Sequence, residues 1–274
     1  MSMPIVEKPN LRVDAGTITL CLALTALCVA RSASAGERHE GIAYARGTDH
    51  VLYRETHWYY DTGGIGQHLV LYRCPDGKPF ARKQLRESPS AIAPDYDFVD
   101  GRDGHREGVR TRGGKRVAYV QENAGTPAKA EAIRVPTGGV IDAGFDAAVR
   151  QRWQVLASGS EVTIPFLLPS RHDFLPLRLT GSSQGRSDGE SVLKLRMSLA
   201  RWYGFVLPAI ELVYSLDDRR LMEFNGIGSI RDGDGDYLDV RIVFPPSDLV
   251  AHAAEPEIAS AAVVPLDGQC AASR

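Results

Sequence analysis

From Glu40 onward, apolar and polar residues alternate in short runs broken by Gly, Asp and Pro, the pattern of antiparallel strands joined by tight turns. Ile42 to Arg46 and Val51 to Tyr60 read as the first two strands, joined across Gly47-Thr48-Asp49. The second, VLYRETHWYY, is dense in aromatic and β-branched residues, which suit a pleated surface. Gln67 to Arg73 and Phe80 to Glu87 follow, with Cys74-Pro75-Asp76-Gly77 as the turn between them. Tyr96 to Val99 and Gly108 to Thr111 flank Asp100-Gly101-Arg102-Asp103-Gly104, and Arg116 to Glu122 adds a strand after Gly113-Gly114. Further strands are predicted over Val162 to Leu168, Phe174 to Thr180, Ser191 to Leu199, Ile210 to Leu216, Leu221 to Ile230 and Tyr237 to Phe244. Asp217-Asp218 marks one hairpin, and Asp232-Gly233-Asp234-Gly235 another.

One helix interrupts the series. Asp142 is placed to cap a segment running to about Ser158, with Gly159 as its stop. Phe145, Val149, Trp153 and Leu156 recur at spacings of four, four and three and so share one face, a docking stripe against a sheet. The predicted fold is mainly β: a large curved antiparallel sheet, an open barrel, packed on one amphipathic helix.

The N-terminus has a different character. Ala15 to Ala30 carries no charge and is followed by Ala33-Ser34-Ala35, a small-x-small site of the kind a signal peptidase cuts, which places the cut before Gly36. The stretch falls short of the roughly 20 residues needed to cross a bilayer. Neither Cys21 nor Cys28 follows a small residue, so no lipid anchor is expected. Residues 1–35 are therefore read as an export signal and 36–250 as a single β-rich domain. The Ala-rich segment 251–274 is read as a disordered tail. The destination is periplasmic or secreted, and the chain is expected to be a monomer.

Export changes the cysteine count, because only Cys74 and Cys270 remain after cleavage. In an oxidising compartment they can pair, although one lies in the Ala-rich tail; a mobile thiol or an intermolecular pairing is the alternative. A formal charge of −2 and the lack of a basic stripe argue against a nucleic-acid partner.

Several segments together resemble an uncharacterised family of exported proteobacterial proteins. They are Leu71-Tyr72-Arg73 with Pro75-Asp76-Gly77-Lys78 and Ala81-Arg82-Lys83; Ala93-Pro94-Asp95-Tyr96; Tyr214-Ser215-Leu216-Asp217 with Arg219-Arg220-Leu221; and Phe224-Asn225-Gly226-Ile227-Gly228-Ser229-Ile230-Arg231-Asp232. The layout, a long antiparallel sheet with one embedded helix, is similar to the lipoprotein-localisation carriers, whose half-open barrel holds acyl chains. Neither resemblance brings catalytic residues.

Motifs with chemical potential are few. Gly181-Ser182-Ser183-Gln184-Gly185 matches G-x-S-x-G, but a hydrolase elbow needs a strand-to-helix turn, and here the following residues lead into a strand. The segment reads as a flexible loop. Asp232-Gly233-Asp234-Gly235-Asp236 resembles a calcium loop but lacks the EF-hand glycine and glutamate, so a hairpin turn is expected. None of the seven histidines His39, His50, His57, His68, His105, His172 and His252 forms a close metal-binding pair, and no metal or cofactor is expected. Glu55 and His57 share one strand face, as do Tyr53 and Tyr59. The acidic run Asp95, Asp97, Asp100, Asp103 and Glu107 sits among Arg102, Arg106 and Arg110, as surface pairing would have it.

The leading functional expectation is a non-enzymatic carrier or binder of a lipid, acyl chain or other apolar ligand. The ligand would lie against Phe145, Val149 and Trp153. The aromatic connection holding Trp202, Tyr203 and Phe205 would gate the site or touch a membrane surface. The alternatives are a hydrolase assembled from separate strands, using His57 with Asp61 or the Asp95–Glu107 run, and an envelope-assembly protein that binds a partner by a sheet edge.

Overall fold

The computed structural model describes residues 36–187, 189–200 and 208–270, with the side chains of 182–184 excepted. The first half of the sheet is built by β1 (Gly36–Ala45), β2 (Val51–Thr62), β3 (Ile65–Arg73), β4 (Pro79–Ser90), β5 (Ala93–Asp100), β6 (Arg106–Arg112), β7 (Lys115–Gln121) and β8 (Lys129–Ile133). Two short helices follow, α1 (Gly144–Gln151) and α2 (Trp153–Ala157). The second half comprises β9 (Glu161–Leu168), β10 (Asp173–Ser187), β11 (Glu190–Leu199), β12 (Ile210–Ser215), β13 (Leu221–Arg231) and β14 (Tyr237–Val243). The chain closes with β15 (Val250–Ala253) and α3 (Glu255–Val263).

Each half is a run of hairpins, and β1 pairing with β14 welds them into one open antiparallel sheet in the order β8-β7-β6-β5-β4-β3-β2-β1-β14-β13-β12-β11-β10-β9. Its two ends differ. The β9 edge is covered by Val140, which exchanges backbone hydrogen bonds with Pro165 and Leu167. β8 is the last strand at the other end, and its first four residues, Lys129 to Ala132, are exposed.

The inner face holds two apolar clusters. One gathers Tyr53, Tyr72, Phe80, Tyr96 and Phe98 from the first half with Ile230, Val240 and Ile242 from the second. The other joins the helix pair to Ile164, Leu179, Leu193, Leu195 and Leu212 of β9 to β12. A third cluster lies on the opposite face, where Trp58, Leu69 and Leu71 are roofed by Ile258 and Ala261 of α3. β3 is therefore buried on both faces, which is why it reads Leu69-Val70-Leu71-Tyr72 without a polar break.

Four expectations need correction. The helix is not continuous from Asp142. Ala143 stands at the N-cap, Asp142 takes φ 45°, and the helix breaks at Arg152, whose N–H is shared between the carbonyls of Ala148 and Val149. The Asp142 carboxylate is held by Lys83 and the Ala143 amide, so it does not reach the amides further along the turn. Gly159 does stop the helix, with φ 78°. The segment Gly181 to Gly185 is not a loop but part of the long β10–β11 ladder. A strand not foreseen, β8, pairs with β7.

The C-terminal segment, expected to be disordered, forms β15 on β1 and the helix α3. Ala253, Ile258 and Ala261 pack on the Trp58 patch, and a Cys74–Cys270 disulfide ties the segment's end to the sheet. Glu257 on α3 accepts from Arg38 and from the Trp58 indole. Arg82 donates to the carbonyls of Ala261 and Val264 at the helix end.

Candidate functional site

The apolar helix stripe is a docking face. Val149 is 0% exposed and Trp153 6%, and both pack into the cluster formed with β9 to β12. Phe145 meets the edge of Phe166, while Trp153 meets the edge of Tyr214 and carries Arg219 over its ring. These three residues face sheet rather than open space. Trp202, Tyr203 and Phe205 lie outside the described residues.

Beside this stripe α1 carries Asp146 and Arg150, joined at 2.9 Å. Opposite them, three adjacent strands set a row of histidines on the inner face. His39 on β1 is in register with His57 on β2, and His68 on β3 is in register with Tyr59. Strand alternation puts Glu55, His57 and Tyr59 on this same face, as the sequence indicates. The side chains form a continuous chain: Glu55 Oε2 lies 2.8 Å from His57 Nε2, and His57 Nδ1 lies 3.0 Å from His68 Nε2. Tyr59 stacks on His68 with ring centroids 4.1 Å apart, His39 meets the edge of Tyr59, and Phe244 meets the edge of His57.

Electrostatics follow from the setting. Burial pushes the His68 imidazole well below its ordinary range, and the positive charges of His57 and Lys83 push the same way. His39 is also lowered by burial, against the pull of Glu37 at 2.7 Å. Burial raises Asp146, whose Oδ1 is buried with no hydrogen-bond partner. The Tyr59 phenol is pushed up by burial and then by Asp146, yet the residue is 38% exposed. The ring stands on the inner face of β2, where Asp146 of α1 acts on it.

A second polar node anchors the helix start. Lys83 Nζ donates to both oxygens of Asp142, at 3.0 and 2.9 Å, and to Ser229 at 3.2 Å. Burial pulls this ammonium down, but Asp142 more than offsets it and the group sits above its ordinary range. Sequence reasoning missed Lys83, because a lysine among Ala, Arg and Gln looks like any strand-surface residue. The alternation Ala81, Lys83, Leu85 against Arg82, Gln84, Arg86 was the available signal that it points inward.

The remaining candidates have structural partners. Asp95 pairs with Arg116, Asp97 with Arg110 and Tyr119, Asp100 with Arg102, and Asp103 with Arg231. Glu107 accepts from Tyr96. Asp61 accepts the Gly64 amide in the β2–β3 turn, so the carboxylate on His57 is Glu55, not Asp61. Asp232 accepts from the amides of Asp234 and Asp236, closing the β13–β14 hairpin. Two surface depressions are open and charged. One is bordered by Arg46, Asp49 and Arg241, the other by Arg86, Asp95 and Arg110. Compared with known proteins, the chain matches no family model and no curated sequence.

Proposed function

We propose that this is an exported, non-enzymatic binding protein whose apolar or amphipathic ligand lies in a recess between α1 and the inner faces of β1 to β3. Tyr59 carries the proposal: a water-reached aromatic ring, backed by His68 and flanked by His39, offers an apolar body something to lie on. Asp146 and Arg150 stand across the recess for a polar end. Export is supported by the Cys74–Cys270 disulfide, which belongs to oxidising compartments. The filled helix face moves the ligand off Phe145, Val149 and Trp153 and onto the strands.

Protein taken from its native compartment without detergent should release a stoichiometric organic ligand on extraction, read by mass spectrometry. It should also take up a fluorescent fatty acid. Tyr59→Ala should weaken that uptake about tenfold, the loss of one stacking contact worth about 1.4 kcal/mol. No bound ligand together with no uptake would rule the reading out.

One observation favours a second reading. A carboxylate hydrogen-bonded to an imidazole is how a general base is held in one orientation, and Glu55–His57 has that arrangement. A hydrolase would turn over p-nitrophenyl esters and lose that activity in His57→Gln at unchanged stability.

A further inference from the structure

The Glu55–His57–His68 chain has a fixed proton arrangement. A carboxylate only accepts, so His57 Nε2, at 2.8 Å from Glu55, carries the proton of a neutral ring. His57 Nδ1 is then the bare nitrogen, and His68 Nε2, at 3.0 Å, donates to it. The bond between the rings needs one N–H and one bare nitrogen. With both rings protonated, two N–H groups and two positive charges face each other across the same 3.0 Å.

Resting on the recess reading above, we propose that the His57–His68 pair is an acid-operated release for the ligand recess. Double protonation breaks the bond between the two rings and drives His68 away from His57. Tyr59, stacked on His68 at 4.1 Å, is displaced with it, and a ligand lying on that ring is let go.

The surroundings favour release over absorption of the charge. From β1 the pair meets His39 and Glu37, the latter engaged with His39 at 2.7 Å. From its own strand His57 has Glu55, which neutralises one imidazolium only. From β4 comes Lys83, a permanent cation that disfavours charge on His68. From the β12–β13 turn comes Arg220, a further cation acting on His39. The carboxylate across the recess, Asp146, is paired with Arg150 and acts on Tyr59. Phe244, packed edge-on against His57, offers the displaced ring no polar partner. His68 is depressed, so its neutral form is kept until the pH falls well below the ordinary histidine value of 6.5. The folded arrangement loses its support as pH drops from 6.5 toward that lowered value, because the unfolded chain takes up the proton first.

The test is a histidine side-chain nitrogen NMR titration of the mature chain from neutral pH to about pH 4. Tyr59 nitration and release of a fluorescent fatty acid are followed in parallel, with circular dichroism reporting the fold. The expected result is an Nε2–H tautomer on both rings at neutral pH. As His68 protonates, Tyr59 nitration, taken relative to free tyrosine at the same pH, should rise several-fold and the probe should leave, with the β signal retained. His68→Gln keeps an N–H toward His57 but cannot be protonated, and should abolish both acid responses. If His68 stays neutral until the fold melts, or if Tyr59 reactivity does not change as His68 protonates, the release mechanism is overturned. The wild-type titration decides this even if the variant does not fold. Failure of the probe to bind at neutral pH would overturn the recess reading instead, and the NMR and nitration results would still judge the switch.

Discussion

Asp142 carries a backbone angle, φ 45°, that a residue with a β-carbon adopts only when its surroundings insist. Here the insistence comes from Lys83, which grips both carboxylate oxygens and also reaches Ser229, so that one ammonium joins β4, β13 and the start of α1. The pair is nearly closed to water, with side chains 6% and 13% exposed. Breaking such a pair leaves a buried charge with no partner, a loss of about 3–5 kcal/mol, whereas removing both charges costs far less. Lys83→Met should therefore lower stability in urea by about that amount. Adding Asp142→Asn should recover most of it, since Asn is neutral and tolerates a left-handed backbone. A double variant no more stable than Lys83→Met would mean that the pair is not what holds the helix start. The residue scale was the least legible in the sequence. Glu55 and His57 were visible as neighbours on one face, but their partner His68 depends on the β2–β3 register, and Lys83 on a contact 59 positions away.

At the scale of elements, the helix pair sits close to the sheet because a glycine stands at each end of the contact. A β-carbon on Gly144 would fall 2.3 Å from the Ile92 carbonyl oxygen, and one on Gly181 2.2 Å from that of Leu156, the last turn of α2. Alanine is the better helix former by about 1 kcal/mol, but backbone atoms cannot step aside as a flexible side chain can. Gly144→Ala should therefore destabilise by about 1–3 kcal/mol, read as a lower melting temperature, and a stabilised variant would contradict the close docking. The C-terminal strap is the second element with a clear prediction. The disulfide spans 196 positions, and such a closure contributes about 2–5 kcal/mol. Cys74→Ser with Cys270→Ser should lose that much and raise amide exchange in α3 first, because the strap would lose its covalent anchor and rest on Glu257, Arg82 and the packing of Ile258 and Ala261. Uniform loss of protection across the sheet would instead make the strap part of one cooperative unit. Strands were readable because alternation is local, and so was the helix stripe with its Gly159 stop. The strap was not: Ile258 and Ala261 are a weak apolar signal until Trp58, Leu69 and Leu71 are known to need a cover.

At the scale of the whole molecule, closure between β1 and β14 creates an interior in which polar rings are trapped among carboxylates. Tyr53, Tyr72, Tyr96 and Tyr214 are all buried, and burial holds each phenol well above its ordinary value of 10.0. Nearby carboxylates add to the effect: Glu55 on Tyr53 and Tyr72, Glu107 on Tyr96, and Asp146 on Tyr214. The consequence for stability has a definite sign. Below pH 10 both folded and unfolded chains keep these protons, so the four rings contribute no pH dependence. Above it only the unfolded chain gives them up, and stability falls as the pH rises. Each ring contributes about 1.4 kcal/mol per pH unit, so the four together remove about 5 kcal/mol per unit, comparable to the whole stability of an ordinary domain. The tyrosinate absorbance of these four rings should therefore appear in one steep step, coincident with loss of the β-sheet signal in circular dichroism. Because Tyr53, Tyr72 and Tyr96 pack in the cluster that joins the two halves of the sheet, and Tyr214 packs on Trp153 of the helix pair, the step should also coincide with the loss of His68 protection. Four gradual phenol titrations with the sheet signal intact would mean that the interior admits hydroxide without unfolding, and that the sheet's opening reaches further inward than the packing around Tyr72 and Tyr214 permits.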